Sequence, residues 1–160
     1  MATITPRLTP ISGQTSPELI HQHWISPALR HRAFAHALLC LISLRRSLTD
    51  STNTRHVARC LFHRVQSIVA IQENLNNPAE ATSNENIAAV FNLACVEGNL
   101  LMPAFQVDNY APLRFDNAQI QVHLNGLRRM IGLRGGIANL GGIHGLQSFM
   151  IRLVYLGASL

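Results

Sequence analysis

The sequence predicts an all-α fold, an irregular bundle of about five helices. Three observations carry that expectation. Apolar residues recur at three- and four-residue spacings through most of the 160 residues. No run alternates apolar and polar residues for long enough to make a strand. Serine, threonine, asparagine, proline and glycine collect between the periodic stretches, where helices start and stop.

The elements follow in order. Residues 1–16 are rich in Thr, Pro and Ser and read as a loose segment ahead of a helical domain spanning 17–160. Ser16-Pro17 opens a short helix, with serine at the cap and proline at the first helical position. Ser26-Pro27 repeats the signal. From there Leu29, Ala33, Phe34, Ala37, Leu38, Leu41 and Ile42 make one helical stripe that ends near Leu48. A polar break at 50–53 separates it from a second stripe of Val57, Leu61, Val65, Ile68, Ile71 and Leu75, closed by Asn77-Pro78. Thr82 and Glu85 have the spacing of a capping box ahead of Ile87, Val90, Phe91, Ala94 and Leu101, and Pro103 closes that helix. Residues 103–115 carry Phe105, Tyr110 and Phe115 with two prolines and read as an ordered loop.

The stretch 120–142, IQVHLNGLRRMIGLRGGIANLGG, is the most specific in the chain. Ile120, Leu124, Leu127 and Ile131, with Met130 beside them, form an apolar stripe at helical period. Gln121, Asn125, Arg128 and Arg129 lie opposite. Asp116 with Gln119 is a second capping box. Arg134 suits the negative pole of the helix dipole, and Gly135 or Gly136 can take the left-handed conformation that ends a helix. A tight reversal at 138–142 follows. A last helix carries Leu146, Phe149, Met150, Leu153 and Val154 towards Leu160.

This stretch resembles the regulatory (middle-homology) domain of fungal transcription factors. The shared element stands here as His123, Gly126, Leu127, Met130, Ile131, Leu133, Arg134, Gly135, Gly136, Ile137, Leu140 and Gly141. Residues 68–98 and the PALRHRAFAHALLCLISL segment resemble two further helices of that family, so the likeness covers roughly residues 24–156. It implies an all-α regulatory domain, a nuclear location and action through partner proteins. It also implies a domain that continues past residue 160, so the chain is expected to be incomplete at that end. The zinc binuclear cluster that commonly precedes such domains begins C-x-x-C-x(6)-C; the three cysteines at 40, 60 and 95 do not have that spacing. Direct, sequence-specific DNA binding is therefore not expected.

Composition narrows the remaining classes. All 13 basic residues are Arg. Eight lie in residues 1–64 beside two acids, giving +6 there; five face six acids in the remainder, giving −1, which sum to the +5 of the whole chain. Six of the eight His share the basic front half. An odd number of cysteines within apolar helical patterns reads as reduced thiols of an intracellular protein. The longest apolar run, 37–43, is far short of the ~20 residues needed to span a bilayer, and no membrane association is expected. Arg55, His56, Arg59, His63 and Arg64 line one side of the second long helix, either as phosphate contacts or as a solvated face opposite Val57, Leu61 and Val65; the lack of interleaved aromatics favours the solvated face. His21-x-His23, and Cys60 with His63, fall short of the three or four ligands that zinc requires. The glycines at 132–145 follow a helix instead of opening one, so they read as turn glycines and not as a phosphate loop.

The expectations are thus no enzyme, no cofactor and no metal. Arg134 is expected either to cap its own helix or to pair with Glu97. Protein partners or self-association follow from the resemblance, with a small-molecule effector as an alternative. A shortened copy without independent function is a third reading.

Overall fold

The computed structural model describes residues 17–50, 52–98, 117–141 and Gln147. The described residues include the α-helices α1 (Pro17–Ile20), α2 (Ser26–Arg30), α3 (Arg32–Thr49), α4 (Thr54–Leu75), α5 (Asn84–Gly98) and α6 (Asn117–Leu133). A wide π-type turn, His21–Ile25, joins the first two, and a 3-10 turn, Ile137–Asn139, follows the last. No strand occurs among the described residues, and none of their helices is long and apolar enough to cross a membrane. The loop expected at 103–115, the Asp116 cap and the helix expected from Leu146 lie outside the described residues.

Packing runs α4 on α3, α3 on α5, and α5 on α6. Helix α5 is the central rod. Every side chain from Asn86 to Glu97 is buried, with Ile87, Ala88, Ala89, Leu93, Ala94 and Val96 fully so. A helix that is apolar nearly all round has no solvent face to present and belongs inside. Phe34 from α3 and Leu127, Met130 and Ile131 from α6 pack in the same core. The stripe expected on α6 is thus the buried one.

Two expected helices differ in detail. The stripe beginning at Leu29 is broken at His31, whose backbone is extended (φ −132, ψ 107) and whose ring accepts the Phe34 N–H at 3.4 Å. This is a side-chain N-cap, and it lets the chain turn so that Trp24 packs on Phe34 with ring centroids 6.0 Å apart. Leu29 is left at 77% exposure. On α4 the expected stripe divides: Ile71 is buried and Val57 and Ile68 pack against the core, whereas Leu61, Val65 and Leu75 face outward. Cys60, Ser67, Ala70 and Ile71 are buried, while Leu61, Phe62, Val65, Val69 and Leu75 are exposed. Small residues explain the choice. Ser67 Oγ donates to the Ala33 carbonyl at 3.0 Å and Cys40 meets Cys60 in the seam, contacts that need the two backbones close together.

The cap of α5 is shifted by one residue from the expected Thr82. Ser83 Oγ accepts the Asn86 N–H at 3.1 Å, and Asn86 in turn reaches the Ala81 carbonyl at 3.2 Å. Helix α5 is described as far as Gly98; the Leu101 to Pro103 limit read from spacing lies outside the described residues.

Candidate functional site

The polar groups that matter gather at the two ends of α5, and α6 with its corner holds both. At the carboxyl end of α5, the Glu97 side chain is fully buried. Arg64 of α4 donates from Nε to Glu97 Oε1 at 2.6 Å, and His123 Nε2 of α6 lies 3.8 Å from the same oxygen. A second Arg64 nitrogen donates to the Gln119 side chain. Burial pushes the Glu97 carboxyl up, but hydrogen bonds from His123 and Arg64 and their charges outweigh it and hold it below the ordinary carboxylate value. Three helices are tied through one carboxylate. Glu97 Oε2 has no hydrogen-bond partner.

At the amino end, the corner after α6 does the tying. Gly136 N–H reaches back to the Ile131 carbonyl at 2.9 Å and Gly135 N–H to that of Gly132 at 3.0 Å. This pair of reverse bonds is a Schellman cap, which requires a left-handed residue after the helix. Gly135 (φ 90) and Gly136 (φ 106) supply it. The turn aims Arg134 outward across α5. Its guanidinium donates to the Thr82 carbonyl at 2.7 Å and to the Asn139 carbonyl at 3.1 Å. Asn139 Nδ2 returns a bond to the Arg134 carbonyl at 3.1 Å. Asn84, at the start of α5, donates to the Gly141 carbonyl.

The residues singled out from the sequence therefore divide by role. His123 belongs to the Glu97 junction. Leu127, Met130 and Leu140 are buried apolar residues. Arg134, Gly135, Gly136 and Gly141 form the corner. Gly126 sits within α6 with nothing within 4 Å of where a Cβ would stand, and Leu133 is 71% exposed. The expected pairing of Arg134 with Glu97 is replaced: Arg134 binds the Thr82 carbonyl just ahead of α5 and the Asn139 carbonyl of its own corner, and Glu97 takes Arg64 and His123 at the other end of α5. The antiparallel course of α6 on α5 separates the two groups by the length of the helix.

Arg64 was read as part of a cationic side of α4, and this too is corrected. It turns inward to Glu97. His63 Nδ1 lies 2.9 Å from His36 Nδ1 on α3, and His56 lies 3.9 Å from Asp50. Of that row, Arg55 and Arg59 are exposed. The signal for Arg64 was available in the sequence. Glu97 interrupts an apolar helix, a buried carboxylate needs a cation, and Arg64 is one turn beyond Cys60. No group of three or more metal-ligating side chains converges among the described residues.

The arrangement defines an all-α scaffold domain whose polar groups fix helix positions at both ends of a buried rod. The chain belongs to the fungal-specific transcription factor domain family, whose model matches residues 1–156. No curated protein and no solved structure matches the chain. Membership supports a transcription-related regulatory role.

Proposed function

We propose that this chain is a non-enzymatic regulatory domain of transcription that acts in the nucleus through protein contacts, without reading a DNA sequence itself, and that its first partner is a second copy. The observation that carries the proposal is the exposed apolar row of α4: Leu61 at 41%, Phe62 at 57%, Val65 at 53% and Val69 at 38% exposure. Apolar rows of this kind on a folded surface mark association sites.

Charge along the same helix favours a second copy. Exposed Arg59 precedes the row, and Glu73, ion-paired at 2.9 Å with Arg32 of its own chain but with its side chain 59% exposed, follows it. An antiparallel two-fold pairing centred near Val65 and Gln66 sets Leu61 and Phe62 of one copy against Val69 of the other, and Arg59 against Glu73. Light scattering with circular-dichroism melts at two protein concentrations tests this. A dimer whose midpoint rises with concentration, and which Val65→Glu converts to a folded monomer, is the expected result. A wild-type chain that is monomeric at every concentration, or a Val65→Glu variant that associates equally well, would refute it.

A further inference from the structure

Cys40 and Cys60 form a thiol pair that nothing above employs. Cys40 sits on α3 and Cys60 on α4, and both are fully buried in a second, smaller core with Leu41, Leu44 and Val96. Their sulfurs lie 3.6 Å apart, and the Cys40 thiol also reaches the Cys60 carbonyl at 3.3 Å. All three cysteines are free. The seam around the pair is held in antiparallel register by Ser67 on Ala33 and His63 on His36. The two sulfurs are therefore presented to one another by the helix packing and not by chance side-chain rotation.

We propose that Cys40 and Cys60 are an oxidation site, closing to a reversible disulfide that staples α3 to α4. Hydrogen peroxide is the oxidant. The Cys60 thiolate attacks one peroxide oxygen, the O–O bond breaks and the hydroxide released takes a proton to leave as water, which makes Cys60 a sulfenic acid. The Cys40 sulfur then attacks the Cys60 sulfur, the S–O bond breaks and a second water leaves with the Cys40 proton. Two thiols and one peroxide become one disulfide and two waters, with two electrons passing from sulfur to peroxide.

The roles follow from the surroundings. The hydrogen bond from Cys40 stabilises the thiolate of Cys60, and the nearby Arg64 cation adds to it; together they outweigh burial and the Glu97 charge and hold the Cys60 thiol below its ordinary value. The same bond, followed by burial, pushes Cys40 up. The Cys40 thiol donates to the Cys60 carbonyl at 3.3 Å and so keeps its proton, which makes Cys60 the attacking thiol and Cys40 the resolving one. Cys95 has no such neighbour, and burial pushes it up, so it stays reduced. His36 and His63 lie alongside but do not join the sulfurs in a metal-binding group.

The test is mass spectrometry of the reduced, folded 1–160 chain after peroxide treatment and blocking of remaining thiols. The expected product has lost two hydrogens, retains one blockable thiol at Cys95, and yields linked tryptic peptides 33–45 and 60–64. Dithiothreitol restores all three thiols. Cys95→Ala should still lose two hydrogens, whereas Cys40→Ser should stop at an oxygenated Cys60. Three outcomes would overturn the proposal: three unmodified thiols under conditions that oxidise free glutathione, sulfinic acid at Cys60 without a link in the wild-type chain, or a link that joins two chains.

Discussion

At Glu97 the physical stakes are those of a charge without water. Its carboxylate is balanced by Arg64 and His123, and removing one partner of a buried pair leaves the other uncompensated. Arg64→Ala is expected to lower stability by about 3 kcal/mol, near the low end for buried pairs because the Arg64 side chain keeps 21% exposure. A double-mutant cycle of Arg64→Ala and Glu97→Gln should show coupling of at least ~1 kcal/mol, while the cycle of Arg134→Ala with Glu97→Gln should show essentially none. Denaturant unfolding of the two cycles checks both. The depressed Glu97 value sets one edge of the pH profile: its contribution is complete above the ordinary 4.5 and is lost as pH falls through the lower folded value. His36 and His63 act higher. Burial, then Arg32, lowers His36, and burial, then His36 and Arg59, lowers His63. The unfolded chain thus binds these protons more readily, so stability declines as pH falls below 6.5. His63→Asn should flatten that decline in melts between pH 7 and about 5.5.

The α6 corner shows at the scale of an element why similar residues carry unequal weight. Gly135 has a left-handed backbone, and a Cβ there would stand 2.7 Å from Asn139 Nδ2. Gly135→Ala is expected to cost about 1–2 kcal/mol from the backbone alone. It should also loosen Asn139 and Arg134 from their carbonyls. Gly126 is in the middle of α6 with open space around its absent Cβ. Gly126→Ala should therefore stabilise by about 0.5–1 kcal/mol, through helix propensity. Paired thermal melts of the two variants, expected to shift in opposite directions, test this reading of the corner. The Ser83 cap belongs to the same scale. Ser83→Ala removes the acceptor of the Asn86 N–H and should cost about 1 kcal/mol.

For the molecule as a whole, α5 is a buried rod clasped at both ends by a single following segment. Leu127 is fully buried where α6 packs on that rod, so Leu127→Ala should cost about 3 kcal/mol. Loss of α6 from the rod would release both clasps together, because the Glu97 junction and the Arg134 bridge both include it. Hydrogen exchange should accordingly show α5 and α6 opening as one cooperative unit.

The helical class and most helix positions were legible because period and stop signals are local properties. The stripe of α6 was readable on the same ground: Leu124, Leu127, Met130 and Ile131 are good core residues in any packing. The glycine pair was readable because a left-handed helix end strongly favours glycine. The partners were not. On α4 the hydrophobic pattern found Ile71 and the partly buried Val57 and Ile68 but also pointed to Leu61, Val65 and Leu75, which are exposed; the seam with α3 selected Cys60, Ser67 and Ala70 in their place, because close backbone approach needs small side chains. Thr82 has the capping-box spacing to Glu85 and Ser83 does not, yet the geometry of the turn made Ser83 the acceptor of the Asn86 N–H. Arg134 could reach a carboxylate or a carbonyl, and only the antiparallel course of α6 placed it beside Thr82 and left Glu97 to Arg64 and His123. The sequence by itself determined what each helix is and where the corner turns. The tertiary structure decided which faces meet and which charges pair, since these depend on side chains brought together from distant parts of the chain.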